Sequence, residues 1–315
     1  MMCENAVNAR VPVAVPGARG SSPLLKKVAG AVAATAALGA ATAAYGHFIE
    51  LNNFQLRTES LPVLPAGSPD FRILHISDMH MIPGQQKKID FMHSLAALEP
   101  DLVMNTGDNL SHVDGMGPLL EALDPLMDFP GVFVPGSNCY FAPVFKNPAR
   151  YLWQPRTPQM IEEGSRVALP IERMHDAFES RGWTGLINRY DTLNLKGLRL
   201  EFSGVDDPHL RYDEHPGFAP GAFDEGEEPS IRIGVAHAPY MRTLHRFVQD
   251  GAQAIFAGHT HGGQVCLPGG HALVSNCDLP PSRAKGVSEQ SGIPVQVSAG
   301  LGTSRFAPVR LFCPP

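Results

Sequence analysis

The chain of 315 residues has few cysteines, few charged side chains and no basic excess. Its five cysteines are Cys3, Cys139, Cys266, Cys277 and Cys313, and no two of them are spaced as CxxC. This spacing excludes a zinc ribbon and a dense disulfide framework. The formal net charge is −6, whereas a surface for long nucleic acids is usually basic, so we expect no stable nucleic-acid partner. Hydrophobic residues make up 43% of the chain, which is enough for a packed core.

Long uncharged runs are also scarce, with one exception near the N-terminus. Residues 28–46 carry no charge and are mostly alanine, and their length approaches that needed to cross the hydrocarbon layer of a membrane. The flanking basic residues are Arg10, Arg19, Lys26 and Lys27 before the run and Arg57 after it. By the positive-inside rule, this asymmetry predicts a cytoplasmic N-terminus and an extracytoplasmic remainder.

Three interpretations of residues 28–46 remain open: an uncleaved signal anchor, a cleaved secretory signal and a soluble alanine-rich helix. The anchor is favoured because the preceding region is long and no sharp small-x-small cleavage site follows. We therefore predict a disordered cytoplasmic lead over 1–27, a transmembrane anchor over 28–46, a linker over 47–70 and a folded domain over 71–315. This organisation predicts a single-pass protein of the cell membrane whose N-terminal helix contacts lipid.

From residue 71 onward, apolar runs of strand length alternate with amphipathic stretches. Strands are predicted over 71–77, 101–106, 131–135, 197–205, 231–236, 253–257 and 295–298, and helices over 89–98, 119–127 and 173–181. Residues 141–170 are irregular and are interpreted as an inserted loop. The alternation is typical of βαβ units. It predicts an α/β (α+β) fold of four layers, with two mixed β-sheets packed face to face and helices outside.

Acidic and histidine side chains follow these apolar runs directly. The six are Asp78, His80, Asp108, His237, His259 and His261. Open α/β sheets bind ligands beyond the carboxyl ends of their strands, so these side chains are expected to converge on one rim. A single histidine after a strand is most often structural, and His75, His112, His209 and His271 are interpreted in that way. Six such residues in ordered motifs instead predict a binding site.

The residue types indicate a metal centre. Imidazoles combined with carboxylates suit Zn, Mn or Fe better than Ca or Mg. Two carboxylates and four imidazoles are too many for one tetrahedral ion, but they suit two divalent ions about 3.5–4 Å apart that clamp the oxygens of an in-line displacement. Such a pair also lowers the pKa of a bridging water, which supplies hydroxide near neutral pH.

The order of the motifs closely resembles the calcineurin-like metallophosphoesterase family, whose pattern is DxH, GD, GNH(D/E), H and GHxH. The resemblance extends from about residue 71 to the C-terminus. More narrowly, four stretches look like the bacterial membrane-associated branch of YkuE- and YaeI-like phosphodiesterases: Gly204–Pro208, Gly258–Val265, Gly300–Ser304 and Pro308–Arg310. The resemblance implies that Asp78, His80 and His261 hold one metal ion. His237 and His259 would hold the second ion, with Asp108 bridging, and the implied catalytic set is Asn138, Asp108 and His237.

The third motif departs from the family pattern. Where the family has Gly-Asn-His-Asp or Gly-Asn-His-Glu, this chain has Gly136-Ser137-Asn138-Cys139. A gapless alignment makes Ser137 the ligand, and a one-residue slip makes Asn138 the ligand. Asn138 is preferred because an amide oxygen is a better hard donor than a neutral hydroxyl. In either alignment the histidine is missing, and with it a general acid whose contribution is typically about 10²–10⁴-fold.

These observations predict a membrane-anchored, dinuclear-metal hydrolase of phosphate monoesters or diesters, with a substrate of lipid or nucleotide-linked type. Two alternatives remain. One is a nuclease of the same fold, which the net acidity disfavours. The other is a degraded relative that binds metal or ligand with little turnover, which the altered stretch 136–139 supports. The pattern predicts neither the oligomeric state nor the natural substrate.

Overall fold

The computed structural model describes residues 23–145, 166–219, 230–303 and 305–315. Its α-helices are α1 Pro23–Phe48, α2 Gln86–Ser94, α3 Met116–Leu123, α4 Ser137–Tyr140, α5 Ile171–Ser180 and α6 Met241–Gln249. Its strands are β1 Ile73–Ile76, β2 Leu102–Asn105, β3 Gly131–Phe133, β4 Thr184–Gly185, β5 Arg189–Leu195, β6 Leu198–Gly204, β7 Ser230–Val235, β8 Ala254–Ala257, β9 Cys266–Leu267, β10 His271–Ala272, β11 Gly286–Gln290 and β12 Ile293–Val297.

The strands form two large sheets and a small hairpin. The first sheet has the order β1-β2-β3-β4, and all its pairings are parallel. The second has the order β11-β12-β8-β7-β6-β5, in which β12, β8, β7 and β6 are parallel and both edge strands are antiparallel. Strands β9 and β10 pair with each other. Parallel order requires crossovers, and these crossovers supply the helices that cover the sheets.

Three apolar clusters separate the layers. Met104 and Val134 of the first sheet meet Phe202 and Ile233 of the second between the two sheets. A second cluster packs α2, α3 and α5 on the outer face of the first sheet, and its members include Met92, Leu119 and Phe178. A third packs α6 on the outer face of the second sheet through Leu244 and Phe247. The predicted four-layer α/β fold is confirmed.

Strand β2 shows why the pattern of the sequence identifies this architecture. All four of its residues, Leu102–Asn105, are buried. A strand covered on both faces reads as a continuous apolar run, without the alternation of a half-exposed strand. Helix α6 instead buries one stripe, in which Phe247 lies four residues after Thr243 and three after Leu244.

Two compact units divide the chain, residues 1–43 and residues 44–315. Within the described residues, the first unit is the greater part of α1. One stretch, Lys26–Asn52, is long and apolar enough to cross a membrane, and a signal sequence near the N-terminus has the same character. The predicted disordered lead lies outside the described residues up to position 22, and the helix begins at Pro23.

Residues 44–70, most of which were predicted as a linker, are joined to a segment that we call the C-terminal strap, residues 308–315. His47 Nδ1 lies 2.7 Å from the carbonyl oxygen of Pro308. The Glu50 carboxylate accepts a hydrogen bond of 2.6 Å from the amide of Cys313. The amide of Gln55 donates to the carbonyl of Pro315 at 2.7 Å. The two ends of the folded unit are therefore tied together side by side.

The predicted inserted loop, 141–170, is described only at its two ends. Phe141 and Ala168 form an antiparallel bridge there, so the loop leaves and returns at one place. The rest, 146–165, lies outside the described residues, and so does Ser304 of the stretch Gly300–Ser304.

Candidate metal centre

The six predicted ligands lie at the carboxyl ends of four strands. Asp78 and His80 follow β1, and Asp108 follows β2. The ligands contributed by the second sheet are His237 after β7, and His259 and His261 after β8. The structure brings all six together where the rims of the two sheets meet, as expected for parallel strands.

The main chain is sharply turned at most of these positions. Five of the six ligands have a positive φ: Asp78 50°, His80 47°, Asp108 53°, His259 71° and His261 51°. Residues other than glycine rarely adopt this left-handed region, and each instance costs on the order of 1–3 kcal/mol. Such strain persists where the surrounding structure holds it, and here it is concentrated on the side chains that face one another.

Two glycines allow these loops to approach closely. A Cβ atom on Gly136 would lie 2.6 Å from the His237 ring, and one on Gly258 would lie 2.7 Å from Asp78 Oδ2. Both distances are far inside van der Waals contact, so any side chain at either position would push the ligands apart.

The first ligand group consists of Asp78, His80 and His261. His261 Nε2 lies 3.6 Å from Asp78 Oδ1 and 3.2 Å from His80 Nε2. Asp78 Oδ2 accepts hydrogen bonds from Ser77 Oγ and from the amide of His259, whereas the buried Asp78 Oδ1 has no hydrogen-bond partner in the described structure. A carboxylate oxygen buried in this way is costly unless a cation balances it.

The second group consists of Asp78, Asp108 and His237, with His259 beside it. His237 Nε2 lies 3.4 Å from Asp108 Oδ1 and 3.3 Å from His259 Nδ1. The other oxygen, Asp108 Oδ2, lies 3.6 Å from His80 Nε2 in the first group. Asp108 thus presents one oxygen to each group, which is the arrangement expected of the predicted bridging carboxylate.

Main-chain carbonyl groups set the orientation of two of the imidazoles. His237 Nδ1 donates to the carbonyl of Thr106 at 2.7 Å, and His261 Nδ1 donates to the carbonyl of Gly302 at 3.0 Å. Because a carbonyl only accepts, each ring in its neutral form carries a bare lone pair on Nε2. These lone pairs point at other acceptors of the site, and such a convergence of acceptors fits a bound cation.

The electrostatics differ between the two ligand groups. Burial lowers the pKa of His80 to about 3 and that of His261 to about 4, so both rings are neutral, as a metal ligand must be. Burial also acts on His237, but the negative charge of Asp108 outweighs it and raises the pKa of this imidazole to about 10, so without a cation the ring is protonated, and it would release that proton to bind a metal ion. Burial raises the pKa of Asp108, yet the His237 charge dominates and holds it well below its usual range. The centre is therefore a strong attractor of positive charge.

Asn138 lies at this centre, in contact with the bridging carboxylate. Its amide group donates to Asp108 Oδ2 at 2.7 Å, and its main-chain amide donates to Asp108 Oδ1 at 2.7 Å. Ser137 Oγ lies 3.4 Å from the same side-chain nitrogen. Asn138 thus orients Asp108, and its role as a ligand of the second metal stays a prediction.

Cys139, the neighbour of Asn138, is a bystander. Its thiol is fully buried and receives weak hydrogen bonds from Asn109 Nδ2 and the amide of Gly136. Burial raises the pKa of this thiol to about 12, so a thiolate ligand is not favoured. Cys139 belongs to neither of the ligand groups formed by the described residues.

Several supporting residues were not identified from the sequence. Ser111 Oγ lies 2.8 Å from His80 Nδ1 and holds that ring. Tyr140 OH donates to both oxygens of Asp206 at 2.8 Å, which ties α4 to the loop after β6. The ring of His209, interpreted as structural, lies 4.7 Å from that of His259 at the border of the site. None of these residues follows a motif that marks it in the sequence.

Direct contacts decide the roles of two other residues. Asp207 shapes the turn that contains Pro208, because its carboxylate accepts from the amides of His209 and Leu210. Arg310, from the stretch Pro308–Arg310 noted in the sequence, has a fully buried side chain that donates only to main-chain carbonyls among the described contacts. Arg310 therefore supports the site by holding the main chain at His261 and Gly302.

Comparison with known proteins gives a family. The family model described as calcineurin-like phosphoesterase matches residues 71–263. The uncharacterized protein YpbG of Bacillus subtilis strain 168 is 27% identical over 215 residues, which cover 67% of this chain and 69% of that protein.

Solved structures are similar at lower identity. TT1561 of Thermus thermophilus has 12% sequence identity and a TM-score of 0.39, with 74% of this chain and 91% of that chain covered. The phosphopantetheinyl hydrolase PptH from Mycobacterium tuberculosis has 12% identity and a TM-score of 0.39, with 73% and 89% covered.

The family match covers more than half of the chain and includes every one of the six convergent side chains. The narrower resemblance to YkuE- and YaeI-like enzymes stays a prediction. On the strength of the matched range, the chain belongs to the calcineurin-like phosphoesterase family.

Proposed function

We propose that this protein is a membrane-anchored hydrolase of phosphate esters that uses two divalent metal ions, Mn, Fe or Zn. One observation carries the proposal. Two ligand groups lie side by side with Asp78 in both, Asp108 presents one oxygen to an imidazole of each, and each group contains an imidazole whose Nε2 faces other acceptors. A single ion accounts for one such group, whereas two ions satisfy both.

The two sites divide the six side chains between them. Asp78, His80 and His261 would hold one ion, and His237 and His259 would hold the other, with Asp108 between them. When bound, two such ions polarise a phosphoryl oxygen and lower the pKa of water. The chain itself supplies fixed orientation, because main-chain carbonyls and Ser111 hold the rings in place and Asn138 holds both oxygens of Asp108.

The substrate is proposed to be a phosphodiester or phosphomonoester with a good leaving group. Asn138 stands in the altered motif, and an amide donates a hydrogen bond to a phosphoryl oxygen but does not release a proton. Without a general acid in this motif, poor leaving groups lose about 10²–10⁴-fold in rate. Lipid- or nucleotide-linked phosphates are the proposed classes, because the predicted anchor would place the site near a membrane surface.

The location is proposed to be the cell membrane, with the catalytic domain extracytoplasmic. Support comes from the length and apolar composition of α1 and from the basic residues before it. Membrane lipid is accordingly a proposed partner of the N-terminal helix.

A second candidate function is binding of metal or ligand with little turnover. The altered stretch Gly136–Cys139 supports it, because the histidine that would act as the general acid is missing in either alignment. A nuclease activity of the same fold receives no comparable support, because the net charge is −6.

The test uses the full chain in detergent, loaded with Mn²⁺ and assayed on a chromogenic phosphodiester and a chromogenic phosphomonoester. Metal content is measured in parallel. Asp108→Asn keeps the shape of the bridging side chain and removes its charge, and the control Asp114→Asn changes an exposed carboxylate. We expect about two metals per wild-type chain and a loss of at least about 10²-fold in rate for Asp108→Asn only. Metal binding with equal rates in both variants would favour the binding protein.

A further inference from the structure

Two cysteines far apart in the sequence meet beneath the loop that carries His259 and His261. Cys266 Sγ and Cys313 Sγ each lie 3.3 Å from the same atom, the carbonyl oxygen of Gly262. Cys313 Sγ also lies 3.7 Å from the carbonyl oxygen of His261 and accepts a hydrogen bond of 3.4 Å from Lys285 Nζ. Both are buried and both are free thiols.

The main chain holds these cysteines in register. Val265 and Leu311 form a parallel bridge, and the amide of Cys266 donates to the carbonyl of Leu311 at 2.8 Å. Phe312 then adopts a positive φ of 55°, which turns the C-terminal strap back toward Gly262. The main-chain pairing therefore holds the segments that carry Cys266 and Cys313 next to each other, beside the carbonyl group of Gly262.

The other described cysteines have different surroundings. Cys139 lies in the turn of α4 against Asn109, and Cys277 packs in the cluster that includes α6. Because both are buried thiols elsewhere in the same folded unit, they serve as matched controls for Cys266 and Cys313.

We propose that Cys266 and Cys313 form a disulfide bond when the folded domain meets a thiol-oxidising compartment. The oxidant is a disulfide, either of a small thiol or of an oxidoreductase. One cysteine thiolate attacks a sulfur of the oxidant and releases one thiol of it, which leaves a mixed disulfide. The second cysteine thiolate then attacks the mixed disulfide and releases the other thiol. Two cysteine thiols are oxidised, one disulfide is reduced, and the two protons end on the released thiols.

The bond would link the segment 259–266, which carries the candidate ligands His259 and His261, covalently to the C-terminal strap. Gly262 lies between His261 and Gly263, so the bond would close directly behind a ligand of the first group. The strap is itself held by Glu50 and Gln55 through hydrogen bonds to Cys313 and Pro315. The bond would also close the chain between Cys266 and Cys313 into a loop, which lowers the conformational entropy of the unfolded chain and so stabilises the folded state. We expect the oxidised protein to have a melting temperature higher by on the order of 5–10 °C than the reduced protein.

The test is carried out on the full wild-type chain in detergent. The protein is equilibrated with oxidised glutathione, in parallel with a sample in excess reduced thiol, with low urea present to open the buried site. Free thiols are then blocked in acid-quenched, denatured samples, and the peptides are mapped without reduction by mass spectrometry. We expect a linked peptide containing Cys266 and Cys313, lighter than the reduced peptides by two hydrogen atoms, and the increase in melting temperature.

Matched variants identify the pair. Cys139→Ser and Cys277→Ser are expected to keep the linked peptide, whereas Cys266→Ser is expected to lose it. If both thiols remain fully alkylated after equilibration with the oxidant, or if either one links to a different cysteine, the proposal is wrong. Because the wild-type measurement decides the outcome, poor folding of a variant does not obscure it.

Discussion

Replacement of Arg310 by methionine tests how the metal centre is supported. The guanidinium is fully buried, and burial lowers its pKa only to about 10, so it is charged at neutral pH. It donates to five main-chain carbonyls: His261 at 3.3 Å, Cys313 at 3.1 Å, Ala299 at 2.8 Å, Gly300 at 2.9 Å and Gly302 at 2.7 Å. Methionine fills a similar volume and removes every donor.

The expected magnitude follows from these contacts. Each hydrogen bond to a charged group contributes about 1.5–3 kcal/mol, but removing the buried charge also relieves a desolvation cost of several kcal/mol. We therefore expect Arg310→Met to lower the free energy of unfolding by about 3–5 kcal/mol. Gly302 O accepts from His261 Nδ1, so the orientation of a ligand is lost as well, and metal affinity should fall about 10–100-fold.

The assay combines urea unfolding of the metal-free protein with calorimetric titration of Mn²⁺. Arg310→Lys retains the charge but has fewer donors and a different geometry, so partial recovery of metal affinity is expected. Arg305→Met is the control, since Arg305 is exposed. Wild-type stability and wild-type metal affinity in Arg310→Met would refute this account of the residue.

Three further predictions concern the neighbouring groups. Without a general acid in the altered motif, aryl phosphodiesters should be hydrolysed at least about 10²-fold faster than alkyl phosphodiesters. Asn138→His should reduce this ratio of rates. Equal rates for both ester types in the wild type would contradict the prediction. Burial lowers the pKa of His75 to about 4, so below about pH 6.5 the unfolded chain binds a proton that the folded chain excludes. The free energy of unfolding should therefore fall by on the order of 2–3 kcal/mol as the pH drops from about 6.5 to 4. His75→Leu should flatten that decline in urea unfolding curves, whereas the exposed His93→Gln should leave it unchanged, and an unaltered slope in the first variant would refute the assignment. Ser111→Ala should weaken Mn²⁺ binding about 10–100-fold in a calorimetric titration, because Ser111 holds the His80 ring in place. The free energy of unfolding should change by no more than about 1 kcal/mol. Unchanged metal affinity would show that the ring needs no such support.

Elements buried on both faces were the easiest to predict from the sequence. Strands β2 and β8 have only buried residues and coincide with predominantly apolar runs. Strands β1, β2, β7 and β8 all begin and end within two residues of their predicted boundaries. The edge strand β5, Arg189–Leu195, was missed because its residues are polar and half-exposed, so no apolar run marks them. Strand β11 was missed for the same reason, since its alternate residues face solvent.

The ligands were recognisable because each follows an apolar strand in a fixed local motif. Their partners were not, since Ser111 and Asn276 reach the site from segments without a comparable pattern. Asn276 illustrates the point, because its carbonyl oxygen lies 3.2 Å from His259 Nε2 across 17 residues of irregular chain. Contacts of this kind depend on how loops return to the rim, and local composition carries little information about that path.

The sequence by itself determined the layered fold, the positions of the six candidate ligands and the apolar character of residues 28–46, because each depends on local hydrophobic pattern or on a short motif. Only the tertiary structure decided that Asp108 faces both ligand groups, that Arg310 is buried behind the site, and that Cys266 meets Cys313. The physical reason is distance along the chain. Hydrophobic periodicity is a property of neighbouring residues, whereas a shared carboxylate or a pair of thiols is created when separate strands end at the same place.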